Sequence, residues 1–174
     1  MESAAMSHSF TERMIGAAKL QNWAFEEVEA DESATGQAAG VVAIVAVAQA
    51  IGSSGNGGAG IVGGLLGAFF GWAVWSAVTY FIGTRLFHGT ATWGELLRTL
   101  GFANAPGVLA VFAIVPIVGG FIRFAIFIWI LVAGIIAIRQ ALDFDTGRAI
   151  ITAIIGWLAL LIPTLFLAGL ASVF

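Results

Sequence analysis

The segment 60–87 leaves the fewest choices open to a chain that contains it. It carries no acidic residue and a single basic one, Arg85, near its end. At about 1.5 Å per residue, a helix of this length crosses a hydrocarbon core of about 30 Å with room for tilt. A membrane β-barrel would instead show short alternating segments, and the apolar run here is continuous. Its first half carries a rail of glycines. Gly60, Gly64, Gly67 and Gly71 recur at i, i+4, i+7 and i+11 and share one helix face, with Gly63 beside them. Such small-xxx-small series let a neighbouring helix backbone approach closely. In water each glycine would cost a helix about 1 kcal/mol relative to alanine, so the rail fits a helix that the bilayer enforces. The second half is bulkier, with Trp72, Trp75, Tyr80 and Phe81. The expectation is the central, most enclosed helix of a membrane bundle, with the five glycines as its packing positions.

The totals agree. Of 174 residues, 60% are hydrophobic and 10% charged, and the mean hydropathy is +1.01. Soluble domains carry about 25% charged residues, so this chain lacks the polar surface to coat a water-soluble particle. The expected fold class is an all-α, polytopic membrane helix bundle. A net charge of −3 argues against nucleic acid as a partner, and a single lysine leaves no polybasic tail for anionic lipids. The absence of cysteine excludes disulfides, thiol catalysis and cysteine metal sites. The first apolar run begins near Gln37, behind a charged segment and without a suitably placed A-x-A site. No secretory signal peptide is therefore expected, and the first span would itself direct the chain to the membrane.

Two regions follow from the charge distribution. Residues 1–31 read as an acidic, cytosolic-type segment and 32–174 as the membrane domain. Seven of the ten acidic residues (Glu2, Glu12, Glu26, Glu27, Glu29, Asp31 and Glu32) lie in 1–36, opposed only by Arg13 and Lys19. Ser9 and Glu12 fit a capping box that starts a short helix. Phe10, Met14, Ala17 and Ala18 then share a face, which suits a helix lying at the membrane surface or packed on the end of the bundle. The charge run 26–32 suits a solvated turn, with Asp31 as N-cap of the next helix, or an acidic patch that binds a partner or cation.

Five spans are expected. The first is 34–51. The turn 52–59 contains a literal G-x-G-x-x-G at Gly55, Gly57 and Gly60, which lies between two membrane helices and lacks the acidic residue about 20 positions on that a dinucleotide site requires. The second span is the glycine helix. Thr92 and Glu95 fit a second capping box for an amphipathic helix that Pro106 ends or kinks. The apolar run 107–138 is too long for one span, and Pro116 with Gly119-Gly120 suggests a turn. It reads as a hairpin of two short helices, 105–118 and 122–139. A last span of 150–172 follows the polar loop 139–148. Five spans place six of the seven basic residues on one side and only Arg123 on the other. By the positive-inside rule the N-terminus is cytosolic and the C-terminus outside.

No catalytic constellation emerges. His8 and His88 stand far apart and suggest no metal site. Asp143-Phe144-Asp145-Thr146-Gly147 contains the D-T-G of aspartic proteases, but no second aspartate of matched geometry is visible. Asp143 and Asp145 could hold a divalent cation beside a phosphate, or Asp145 could cap the last helix while Arg139 and Arg148 sit at headgroup level. No acidic residue falls within a span, whereas proton and ion relays usually need one. No cofactor, metal or enzymatic activity is expected.

Four stretches carry a family resemblance: FEEVEADESATGQA (25–38), TYFIGTRLF (79–87), TATWGELLRTLGFANAPG (90–107) and AIRQALDFDTGRAI (137–150). With these the chain, from about Phe10 to Leu167, resembles the Yip1 domain family in its prokaryotic branch. The resemblance implies five spans with a cytosolic N-terminus and, if prokaryotic, a place in the cytoplasmic membrane. Eukaryotic relatives are Golgi and endoplasmic-reticulum proteins that bind Rab-type GTPases and one another. A prokaryotic member lacks that machinery, and no binding residue is carried over.

The leading functional expectation is a non-enzymatic integral membrane scaffold or adaptor. It would associate with copies of itself or with other membrane proteins. Its contact surface would be built from Glu26, Glu27, Glu29, Asp31, Arg139, Asp143, Asp145 and Arg148. The principal rival is a small-solute or ion transporter or channel with a polar midplane cavity lined by Gln49, Ser76 or Thr79. A weaker one is a lipid-active enzyme or scramblase using the Asp143/Asp145 loop.

Overall fold

The computed structural model describes residues 8–53, 61–115 and 117–171, without the side chains of Ile61 and 160–171. The elements in order are α1 (Phe10–Ala18), α2 (Asn22–Ala30), α3 (Ala34–Ser53), α4 (Ile61–Arg85), α5 (Trp93–Ala103), a 3-10 helix η1 (Ala105–Ile114), α6 (Val118–Ala141) and α7 (Thr146–Ala171). Among the described residues four segments are long and apolar enough to cross a membrane: Ala34–Ser53, Val62–Arg85, Trp93–Ile114 and Val118–Ala141. The fifth expected span falls on α7, whose part with described side chains, Thr146–Ala159, is a shorter apolar helix.

The helix starts follow local chemistry. Ser9 accepts from the Glu12 amide while the Glu12 carboxylate accepts from the Ser9 amide, and Thr92 and Glu95 repeat the exchange at α5. Asp145 accepts from the Arg148 amide at 3.0 Å and so caps α7, satisfying one of the four amides that a helix start leaves unpaired. Asp31 departs from expectation. It closes α2, and its carboxylate accepts from the Ser33 amide, one residue short of the first turn of α3.

The third and fourth spans also differ from the expected pair of short helices. α5 runs on into η1, because a proline in the first turn of a 3-10 helix needs no amide hydrogen. Pro106 thus changes the winding without ending the element. α6 is a full 24 residues. Gly119 and Gly120 lie in its first turn, and the preceding reversal is made at Ile117, whose φ is 72°. Pro116 lies outside the described residues.

The helices alternate in direction. Gly101 of α5 packs on Ala38 near the start of α3, and Gly52 at the far end of α3 meets the Ala110 carbonyl of η1. α5 and η1 therefore run parallel to α3. α6 returns, since Arg123 reaches the Gly52 carbonyl while Gln140 reaches Glu26 in α2. α7 starts beside that end and runs antiparallel to α4, with Gly156 against Thr79 and Trp75.

The densest packing lies at the end that carries α1 and α2. Ala17, Ala24, Phe25 and Val28 share one apolar cluster with Ala38 and Val41 of α3, Leu96, Leu100 and Phe102 of α5, Ala137 and Ile138 of α6, and Ala149 of α7. Phe25, Phe102, Leu96 and Leu100 are fully buried. The core thus runs without interruption across the boundary expected at Asp31.

The glycine helix is placed differently from the expectation. Only 17% of the apolar window of α4 is buried, against 61% for Trp93–Ile114, so α4 is the least enclosed of the four spans. Among the described residues, a Cβ added at Gly63, Gly64, Gly67 or Gly71 meets nothing within 4 Å. Gly60 lies outside the described residues. The contacts of this helix are made by its bulky half. Trp75 packs across Gly134 of α6, and Trp72 donates its indole N–H to the Leu97 carbonyl at 2.9 Å. These two side chains join α4 to α6 and α5, while the glycine rail itself borders a cavity that α3 and α6 also line. Close approach is made instead at Gly101, Gly107 and Gly119, where an added Cβ would collide with α3 or η1.

Candidate functional site

Sequence reasoning placed eight polar residues on one contact surface, and the structure sorts them into three groups. Glu27 and Asp31 turn inward. Arg13 of α1, only 3% exposed, donates from Nε and Nη2 to Glu27 Oε1 at 3.1 and 2.9 Å, and from Nη1 to Asp31 Oδ2 at 2.7 Å and Gln37 Oε1 at 3.2 Å. His8 adds a backbone bond to Glu27 at 2.8 Å. Burial alone would raise the pKa of Glu27, but the bonds from His8 and Arg13 outweigh it and hold the carboxyl below its ordinary value. Bonds from the Ser33 hydroxyl and from Arg13 do the same for Asp31. This cluster ties α1, α2 and α3 together. Asp145 and Arg148 form the second group, an exposed i,i+3 ion pair of 3.3 Å at the start of α7.

The third group converges. Glu26 and Glu29 of α2, Arg139 and Gln140 of α6, and Asp143 with Phe144 of the following loop line one groove of about 560 Å³. Residues 114 positions apart meet there, with Gln140 Nε2 donating to Glu26 Oε1 at 2.5 Å. The loop is rigidly set. Asp143 adopts φ 53°, a left-handed conformation that aspartate tolerates better than most residues. Its carboxylate accepts from the Thr90 hydroxyl at 3.1 Å, and Phe144 packs edge-on against Phe87.

Glu29 carries the most perturbed chemistry. Burial, followed by the like charges of Glu95 and Asp143, pushes its carboxyl up to about 7, with Arg98 opposing and Glu26 adding to the repulsion. Arg98, 6% exposed, donates to the Val28 and Glu29 carbonyls and so fixes the C-terminal turn of α2 on α5. The groove is therefore a firmly built, predominantly acidic recess containing one carboxyl that titrates near neutrality.

Sequence reasoning missed Arg13, Arg98 and Gln140. Arg13 had a signal, being one of two cations among seven carboxylates, a ratio that favours pairing. Arg98 lies on the polar side of α5 by periodicity, and only the arrival of α2 buries it. Among the described residues, no group of three or more His, Asp or Glu could hold a metal ion. Gln49 lines cavities between α3, α4 and α6. Ser76 and Thr79 do not join it there. They are buried, as are Thr152 and the Trp75 indole N–H, and among the described residues none of these four polar atoms has a hydrogen-bond partner.

The Yip1 domain family model matches residues 23–168, from α2 through most of α7. The chain belongs to the Yip1 domain family. No curated protein and no solved structure matches it. The match takes in every residue of the groove and all four long apolar segments, so this Yip1 protein is an integral, multi-pass membrane protein whose polar recess lies within the family domain.

Proposed function

We propose that this Yip1-family protein is a non-enzymatic membrane scaffold or adaptor that engages membrane partners, or further copies of itself, through the groove of Glu26, Glu29, Arg139, Gln140 and Asp143. The observation that carries the reading is the convergence of two sequence-distant polar segments into one recess at the end of the bundle that holds the buried apolar cluster. A surface that must hold a partner benefits from such preorganisation, since little ordering remains to be done on binding. Three carboxylates against one arginine suit a partner segment that presents lysine or arginine. Glu27 and Asp31 support the surface by fixing α1 and α2, and Asp145 and Arg148 form its outer margin.

In this reading α7 completes a fifth crossing. Six of the seven basic residues then lie on the groove side, which puts the groove and the N-terminal tail in the cytosol and the C-terminus outside. In a prokaryote the membrane would be the cytoplasmic one. The test is in-cell cross-linking and pull-down in mild detergent with Glu26→Lys combined with Asp143→Lys, both at exposed positions. Loss of recovered partner, with the protein still folded and inserted, is the expected result. Undiminished recovery would remove the groove as the contact surface.

A further inference from the structure

The opposite end of the bundle contains a second built feature. Arg123, in the first turns of α6, donates from Nη2 to the Gly52 carbonyl at 2.8 Å and to the Ala113 carbonyl at 3.3 Å. Both partners are neutral. The sequence places no carboxylate side chain in 33–94 or in 96–142, so α3, α4, η1 and α6 offer this cation no counter-ion at its end of the bundle. Arg123 is also exposed, and it borders a cavity of about 480 Å³ lined by Gln49, Ser53, Gly64, Phe127 and Ile130. A second cavity of about 310 Å³ adjoins it. The two share Ala46, Gln49, Phe127 and Ile130, and the second continues past Gly67 and Gly71 to Trp72, Trp75 and Trp157.

Together they form a graded groove. From Ser53 to Val42 of α3 it extends roughly 16 Å along the helix axis. Its cationic and hydroxyl-bearing end lies with Arg123 and Ser53, and its deeper end is aromatic and aliphatic. One wall is the glycine rail, where the missing side chains leave open space. Gly64, Gly67, Gly71 and Phe127 are all exposed, so the groove is not sealed within the bundle.

We propose that this groove binds one anionic phospholipid, its phosphate on the Arg123 guanidinium and one acyl chain along the glycine face of α4. Charge complementarity selects the occupant. A guanidinium without a carboxylate suits a phosphate oxyanion, and the bilayer supplies phosphate attached to an apolar chain of the kind the deeper groove accepts. The two carbonyls orient the arginine and leave its Nε and Nη1 donors for the headgroup. The glycine rail thereby acquires a role in lipid contact, in place of the helix packing that its spacing suggests.

The test uses the full chain, delipidated in detergent and titrated with phosphatidylglycerol or with phosphatidylcholine of the same acyl chains, read by native mass spectrometry. The expected result is one tightly retained phosphatidylglycerol per protomer, held about tenfold more weakly by Arg123→Gln, as expected for the loss of one charge-assisted contact. Gly67→Leu fills the groove at a position where a side chain meets no neighbour. It should abolish retention without lowering the melting temperature. Excess glycerol phosphate should fail to displace the lipid, since it lacks the chain. Equal retention of both lipids, insensitivity to Arg123→Gln, displacement by glycerol phosphate, or a dimer that Gly67→Leu dissociates without altering lipid retention would each overturn the proposal.

Discussion

Replacing Arg13 with methionine removes the one cation that α1 inserts into the bundle and keeps most of its aliphatic volume. The structure fixes what is lost: four hydrogen bonds to three side chains, from a group 3% exposed, including two ion pairs with carboxylates that are 22% and 30% exposed. Breaking a buried pair by removing one partner costs about 3–5 kcal/mol. Glu27 and Asp31 can draw water once the arginine has gone, so the lower bound applies, about 3 kcal/mol. If α1 then opens on its own, its amides should exchange roughly a hundredfold faster. If the bundle melts as one unit, the midpoint should fall by about 6–12 °C. Hydrogen exchange by mass spectrometry in nanodiscs separates the two cases. Arg13→Lys should recover little, because a single ammonium cannot span both carboxylates as the guanidinium fork does. Acid should mimic the substitution. Both carboxyls have folded values below their ordinary 4.5 and 3.8, so their contribution is fully present above those values and is lost as pH falls through the lowered ones. Unchanged protection of α1 in Arg13→Met, or full rescue by lysine, would refute the reasoning.

Two further outcomes follow from the same packing. Glu29 titrates at about 7 in the fold against an ordinary 4.5, so the folded state binds the extra proton between those values and stability falls as pH rises across them. Glu29→Gln should therefore melt higher than the parent above pH 7 and match it below about 4.5. Solvent screening at a half-exposed carboxyl limits the gain to about 1 kcal/mol, readable as a pH-dependent difference in midpoint. Glycine substitutions should divide by location. At Gly101 an added Cβ falls 2.7 Å from Ala38 Cβ, so Gly101→Val should cost about 1–3 kcal/mol through overpacking. Gly67→Ala, in open space, should be neutral or stabilising by up to about 1 kcal/mol. Thermal melts of the two variants side by side check the contrast.

Much of this architecture can be read from local chemistry. Capping boxes at Ser9/Glu12 and Thr92/Glu95 and the cap at Asp145 depend on residues three apart, and each forms as its spacing implies. Four of the eight polar residues singled out by sequence, Glu26, Glu29, Arg139 and Asp143, line one groove, because α2 and the end of α6 meet once the spans alternate. What could not be read was tertiary. The glycine spacing shows that a helix could approach closely, but among the described residues no side chain or backbone comes within contact of the rail. The run 105–114 is apolar almost throughout, with one proline and one glycine near its start, and its pattern does not distinguish a 3-10 from an α winding. Arg13 looks like a surface charge until Glu27, Asp31 and Gln37 close around it from two other helices.

The 3-10 winding of η1 has a mechanical consequence. A 3-10 helix rises about 2.0 Å per residue against about 1.5 Å for an α-helix, so rewinding these ten residues would shorten the third crossing by about 5 Å. Runs this long in the tighter form are uncommon. Five ångströms is about the difference in hydrophobic thickness between thin and thick cellular bilayers. The neighbouring spans can accommodate such a difference only by tilting or by deforming lipid. The third crossing has a different response available, a change of pitch, which makes it the element through which bilayer thickness could be felt inside the bundle.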